Sequence, residues 1–180
     1  TANSSENTIY NGSFSSANIS VTVDGTTVAS SYVWNPSNSG GGIDGTIQSL
    51  SDLSSYYDST NDCYSLTTGE YVFGNDLELD KPLYILSGNE VTICSNTNIT
   101  ITSSFTNDNL IYIERQGKDN YGTLTLGNGE GILTLKHEKA DFPTIASSGK
   151  LTLNNNCAIT GSNYCAINVY DGNFIMNGGE

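Results

Sequence analysis

The densest group of chemistry-bearing side chains in the sequence is Asp76-Leu77-Glu78-Leu79-Asp80. Side chains alternate between the two faces of a strand, so the leucines point inward and the three carboxylates share the outer face. Hard oxygen donors set out in this way would take calcium. A solvated acidic face is the commoner meaning of the same pattern and is the leading reading here. Asp58, Asp62 and Glu70 make a second acidic group, whose spacing matches neither an EF-hand nor a glycine-rich calcium repeat. No cofactor is expected, and calcium at Asp76, Glu78 and Asp80 has no motif behind it. A Ser-His-Asp triad would need His137, the one histidine, which lies in Lys136-His137-Glu138-Lys139 and reads as a solvated residue on a charged corner. Glycosidic hydrolysis needs two carboxylates flanking a cleft, and no pair with recognisable spacing stands out. Arg115, the one arginine, falls in an expected loop without a companion cluster of acids.

Aromatic and hydroxyl side chains offer binding rather than bond-breaking chemistry. The 11 tyrosines are many for so polar a chain, and exposed rings stack on sugars and anchor protein interfaces. Tyr112, Tyr121, Tyr164 and Tyr170 are the ligand-binding candidates, whereas Tyr57 and Tyr71 are assigned to the core or cap. Thr92, Thr100, Thr102, Thr123, Thr125, Thr134 and Thr152 form outward rows. Flat threonine arrays resemble ice-binding surfaces, but irregular spacing favours plain strand propensity on a solvated face. The four cysteines, Cys63, Cys94, Cys157 and Cys165, show no zinc-ligand spacing. Buried free thiols lead, with a Cys157–Cys165 bridge as the alternative in an oxidising compartment.

The elements that must carry these groups are short. Of 180 residues only 14% are charged, with 19 acids against six bases and a net charge of −13. Polarity therefore comes from Ser, Thr and Asn, which favour strands and turns over long helices, so a helical bundle is excluded. The acidic balance argues against a nucleic-acid partner, since phosphate affinity comes from clustered Lys and Arg. It argues equally against a basic membrane-surface helix. No apolar run approaches the ~20 residues that span a bilayer, and the first residues carry no basic-then-apolar leader.

Residues 1–42 read as a β-rich and loop segment. In it Asn18-Ile19-Ser20-Val21-Thr22-Val23, Asp24-Gly25 and Thr26-Thr27-Val28 predict a hairpin, and Pro36 to Gly42 a linker. Residues 43–68 change period. Ile47, Leu50 and Tyr57 fall along one side of a short helix between Ile43 and Asp58, with Ser49 or Ser51 to cap it. From residue 69 to 180 short alternating strands recur in sets of three. Aligning the middle strand of each set gives Val91-x-Ile93, Leu124-x-Leu126, Leu151-x-Leu153 and Phe174-x-Met176, about 33, 27 and 23 residues apart. That recurrence predicts a solenoid whose extra residues loop out at Glu114–Tyr121 and Lys136–Phe142. An all-β sandwich would leave the three-strand sets unexplained.

The stretches Ile47-Gln48-Ser49-Leu50-Ser51-Asp52-Leu53, Gly69-Glu70-Tyr71-Val72-Phe73-Gly74-Asn75-Asp76-Leu77-Glu78-Leu79 and Pro82-Leu83-Tyr84-Ile85-Leu86-Ser87-Gly88-Asn89-Glu90-Val91-Thr92-Ile93 resemble the opening of right-handed parallel β-helix domains of the pectate-lyase-like superfold in secreted bacterial proteins. The tail from Ala166 to Glu180 is similar to a repeat of large adhesin-like surface proteins on that fold. The resemblance covers roughly residues 47–180. It implies an all-β, single-stranded right-handed parallel β-helix with a short N-terminal capping helix. It also implies an extracellular or cell-surface setting in a bacterium, and further repeats of the same polypeptide, since the sequence stops at Asn177-Gly178-Gly179-Glu180 in mid-repeat. The same fold carries lyases, hydrolases, adhesins and passive stalks. The enzymes among them use grouped Asp with His and Arg-x-Lys motifs, or calcium with a basic residue, and none of these motifs is found here. The expectation is a non-enzymatic adhesin-like binding or structural module for a glycan or a host or cell-surface protein. A polysaccharide lyase or glycoside hydrolase on the same fold is the alternative.

Overall fold

The computed structural model describes residues 17–23, 26–34, 46–138, 140–161 and 163–180. The chain divides into two units, Thr1–Ser39 and Gly40–Glu180. In the first, β1 (Ala17–Val23) pairs antiparallel with β2 (Thr26–Trp34), with Val23 opposite Thr26, as the hairpin pattern predicts. The linker expected at Pro36 to Gly42 lies outside the described residues.

The second unit is mostly β, with parallel sheets and one short α-helix. It opens with β3 (Thr46–Ile47), α1 (Leu50–Leu53), a 3₁₀ turn over Ser54–Tyr56, β4 (Tyr57–Asp58) and β5 (Cys63–Leu66). Four triplets follow. The first is β6 (Gly69–Phe73), β7 (Leu77–Leu79) and β8 (Leu83–Ile85); the second is β9 (Glu90–Cys94), β10 (Ile99–Ser103) and β11 (Ile111–Ile113). A small antiparallel hairpin, β12 (Arg115–Gln116) with β13 (Asn120–Tyr121), precedes the third triplet, β14 (Thr123–Leu126), β15 (Leu133–Lys136) and β16 (Ile145–Ser147). The fourth is β17 (Lys150–Leu153), β18 (Cys157–Thr160) and β19 (Ile167–Val169), and β20 (Asn173–Met176) ends the unit.

Each triplet supplies one strand to each of three sheets, and the order never changes. The first sheet runs β20-β17-β14-β9-β6-β3, the second β18-β15-β10-β7 and the third β19-β16-β11-β8-β5-β4. From the second triplet on, every triplet strand pairs parallel to the strand one triplet earlier. Leu124 sits between Val91 and Leu151, Leu126 between Ile93 and Leu153, and Phe174 and Met176 face Leu151 and Leu153. This is the register that the sequence recurrence predicts. Leu79, Ile85, Ile93, Ile101, Leu126 and Leu135 stack inward with no exposure. Burying each such side chain contributes about 1.5–3 kcal/mol. The last strand keeps the register without the burial, for Phe174 and Met176 are 41% and 54% exposed.

The expected helix is much shorter than its period suggests. Ile47 is in β3 opposite Phe73, and Tyr57 is in β4 opposite Tyr64, so only Leu50–Leu53 is α-helical. Serines at 49, 51, 54 and 55 compete for backbone hydrogen bonds and stop propagation; the Ser54 hydroxyl donates to the Ser51 carbonyl at 2.6 Å. Ser49 is the N-cap, and its backbone N–H donates to the Asp52 carboxylate at 2.9 Å. Leu53 is fully buried, with Leu50 and Tyr56 packed on the same core. Tyr71 is buried as expected, but Tyr57 is 46% exposed. Its hydroxyl donates to Asp62 at 2.9 Å while Lys81 lies over its ring, so polar partners hold it at the surface.

Cys63, Cys94 and Cys157 are buried free thiols, so the Cys157–Cys165 bridge is unformed. Burial pushes the Cys157 thiol up to about 12. Among the described residues no helix is long and apolar enough to cross a membrane.

Between the third and first sheets the chain turns at Gly122, Gly149 and Gly172, one above another. A Cβ on Gly149 would strike the Gly122 carbonyl, and one on Gly172 the Gly149 carbonyl. Those carbonyls accept from Lys150 and Asn173 N–H at 2.9 and 3.0 Å. Gly149→Ala should therefore cost about 3 kcal/mol or more in denaturant unfolding, since the backbones must part. Gly117→Ala, where a Cβ meets open space at φ +72°, should cost only about 1 kcal/mol.

Candidate functional site

The second sheet's outer face carries the residues of one cleft. Thr102 pairs with Glu78 and Lys136 with Thr160, and the pairing of Ile101 with Leu135 carries Lys136 towards Thr102. Strands lie about 4.8 Å apart, so two rungs bring together side chains that are distant in sequence. A cleft of about 190 Å³ is lined by Glu78, Thr102, Ser103, Lys136 and Glu138. Lys136 Nζ pairs with Glu138 Oε1 at 2.7 Å.

Behind the cleft lies His137, 1% exposed. This corrects the expectation of a solvated corner residue. Leu133, Leu135 and His137 share one strand parity, and Lys136 belongs to β15 rather than to a loop, so the histidine follows the two leucines inward. Ser103 follows Ile99 and Ile101 in the same way, pairing with Leu79. The ring is satisfied at both nitrogens. Nε2 lies 2.8 Å from the Asp108 carbonyl oxygen, and Nδ1 is hydrogen-bonded to Ser103 Oγ. A carbonyl only accepts, so Nε2 carries the proton, and the neutral ring accepts the Ser103 hydroxyl proton at Nδ1. Burial pushes the imidazole below its ordinary range, keeping it neutral, against the opposing hydrogen bond to Asp108. Phe105 covers the ring, with centroids 5.4 Å apart.

Asp108 joins this pair to the third sheet. Its carboxylate accepts from the Tyr84 hydroxyl at 3.0 Å, and burial followed by that bond pushes the phenol up. Tyr84 pairs in register with Tyr112, their half-buried rings 5.2 Å apart and tilted by 55°. The outward row runs Ser65, Tyr84, Tyr112, Ala146, Asn168.

The other expected site residues fall in separate places. Asp76 accepts from the Thr100 N–H at 2.7 Å and Asp80 from the Tyr64 hydroxyl at 2.8 Å, one at each end of β7, so Glu78 alone of the three lines the cleft. Among the described residues no three His, Cys, Asp or Glu side chains converge as a cation's ligands would. Tyr121 is engaged by two cations, Arg115 and Lys150, at 5.0 and 5.1 Å from its ring, and its hydroxyl donates to the Lys118 carbonyl. Arg115 lies in the hairpin rather than a loop and also pairs with Asp171. Tyr164 and Tyr170 are exposed. Asp62 is held below the usual carboxylate range by Lys81 and the Tyr57 hydroxyl. Thr92, Thr125 and Thr152 stand in one outward row of the first sheet.

Lys136, Glu138, Ser103 and Asp108 do not stand out as site residues in the sequence. Strand parity marks Ser103 and His137 as inward, and aligning the second strand of each triplet would set Glu78 beside Thr102 and Lys136. No protein-family model, curated protein or solved structure matches this chain.

Because the folded state keeps His137 neutral while the unfolded imidazole titrates near 6.5, the unfolded state binds more protons around that pH. This contribution to stability is full above about pH 6.5 and is lost as pH falls towards the lower folded value. Thermal melts from pH 7.5 to 5.5 should show a larger fall for the unmodified protein than for His137→Gln. Equal falls would mean that the ring is not held neutral.

Proposed function

We propose that the second unit is a right-handed parallel β-helix of the pectate-lyase-like superfold, acting as an adhesin-like binding module of a secreted or surface-attached bacterial protein. The right hand follows from the general preference of parallel crossover connections. The unvarying rotation of strands among three sheets supports the helix, and α1 with buried Leu53 serves as its N-terminal cap. The observation that carries the binding reading is the Tyr84–Tyr112 pair. Two adjacent rings on a sheet's outer face, with Asp108 holding one hydroxyl, give a stacking platform beside hydrogen-bonding groups. The ligand class is a glycan or the surface of a host or cell-surface protein.

A second reading has its own support. Glu78, Lys136 and Glu138 line one cleft, an arrangement open to a polysaccharide lyase or glycoside hydrolase. One glycan array separates the two. The binding reading expects intact glycans retained by the unmodified protein and retained about three- to tenfold more weakly by Tyr112→Ala. Appearance of unsaturated or shortened sugars, unaffected by that substitution, would favour the enzyme.

A further inference from the structure

His137 is the one histidine of the chain, and its ring nitrogens tie two segments together. Nδ1 accepts from the Ser103 hydroxyl on β10, and Nε2 donates to the Asp108 carbonyl at 2.8 Å, in the connection between β10 and β11. Within that connection Thr106 and Asn107 are exposed, and Phe105 rests on the imidazole with ring centroids 5.4 Å apart. Ser104 and Leu110 anchor its ends through the Leu79 carbonyl and the Leu83 N–H. Asp108 has a second duty, its carboxylate accepting from the Tyr84 hydroxyl at 3.0 Å. One residue thus links the buried ring to the tyrosine pair, by its carbonyl on one side and its carboxylate on the other.

A proton on Nδ1 turns that nitrogen from acceptor to donor and places a cation where the ring is 1% exposed. An unpaired buried charge is costly, and burial already pushes the imidazole below its ordinary range. The charged groups around the ring decide how that cost is relieved. Lys136 and Glu138, beside it on its own strand, pair with each other in the outer cleft. From β7, Glu78 lines that cleft and Asp80 is bonded to Tyr64, while β18 brings the uncharged Thr160. Among the described residues Asp108 is the acid whose charge bears on the ring. The cation can draw the Asp108 carboxylate from Tyr84, or the ring can move out to water and drop the Asp108 carbonyl. Either movement takes Asp108 from the place where it holds Tyr84. We propose that His137 is a proton-operated latch: a proton on its ring releases residues 104–110 and the Tyr84 hydroxyl, so that the Tyr84–Tyr112 face is set at neutral pH and loosened in acid. The latch rests on the binding reading only for what it regulates. Proton uptake needs no substrate-sized entrance, because local opening of a surface connection admits water.

The test uses the full chain and reads proton and segment separately. As the one histidine, His137 gives a single Cε1–H resonance that titrates the folded ring directly. Hydrogen exchange, corrected for the intrinsic effect of pH, should show residues 104–110 opening about tenfold more often at pH 5.0 than at pH 7.5. The rise should begin near 6.5, where the released ring titrates, and level off where the resonance shows the folded ring titrating. Peptides of the first sheet should not change. In His137→Gln the segment should open alike at both pH values. Tyr84→Phe, which lacks the hydroxyl that Asp108 accepts, should open the segment about tenfold more often at pH 7.5. A segment indifferent to pH, an equal rise in His137→Gln, or first-sheet peptides loosening in step would overturn the latch, the last by showing general acid unfolding. Should His137→Gln not fold, the pH span of the rise in the unmodified protein and the Tyr84→Phe result decide. A glycan array blank at both pH values would end the binding reading and leave the latch to the exchange result. Glycans retained equally at both, with the segment released, would overturn its regulatory role.

Discussion

One contact, repeated, organises the second unit: a strand bonded in parallel and in register to the strand one triplet before it. The spacing of about 4.8 Å leaves no room for error in three directions. Inward, each side chain rests on its counterpart above and below, which selects rows such as Val91, Leu124 and Leu151. At the corners backbone meets backbone, and only glycine fits at 122, 149 and 172. Outward, the same rungs fix what stands beside what, so Glu78, Thr102 and Lys136 become neighbours across 58 residues of sequence. The candidate site is thus a by-product of register: shift one strand by a residue and its acids and hydroxyls turn into the core.

The register was legible wherever apolar residues alternate cleanly, as in the first sheet, where Leu124-x-Leu126 and Leu151-x-Leu153 align without gaps. Local polarity misled in two places. Lys136-His137-Glu138-Lys139 looks like a solvated corner because three of its four residues are charged, yet strand parity carries from Leu133 and Leu135 into His137. The run from Ile47 to Tyr57 has helical spacing, yet its serines satisfy the backbone locally and its two ends pair with strands. The site was less legible than the fold, since its residues meet only through strand pairings in the second sheet, between connections of unequal length.

Polar side chains admitted to this core are, with few exceptions, hydrogen-bonded. Ser95 Oγ lies 2.7 Å from both the Phe73 and Thr97 carbonyls, and the Thr144 hydroxyl donates to Thr160 at 2.8 Å. His137 is bonded at both ring nitrogens, to Ser103 and Asp108. An unpartnered buried polar group costs about 1–3 kcal/mol, so each of these bonds also pins a corner. Ser147 is one exception, its buried hydroxyl having no partner. It occupies the inward row between Ile113 and Val169, where its neighbours offer only carbon.

The hairpin of β12 and β13 adds something that the stacking lacks. A strand bonded only to the rungs beside it can peel away singly, as in any linear array with nearest-neighbour coupling. Arg115 crosses that limit, reaching from the corner after β11 to Asp171 after β19 while Tyr121 lies against Lys150. An exposed ion pair and two cation–ring contacts are worth only about 1–2 kcal/mol together, but the ion pair joins corners two layers apart. Under a pull on the C-terminal end, the outer layers would resist as one block, and fraying would begin as a single cooperative event rather than one rung at a time.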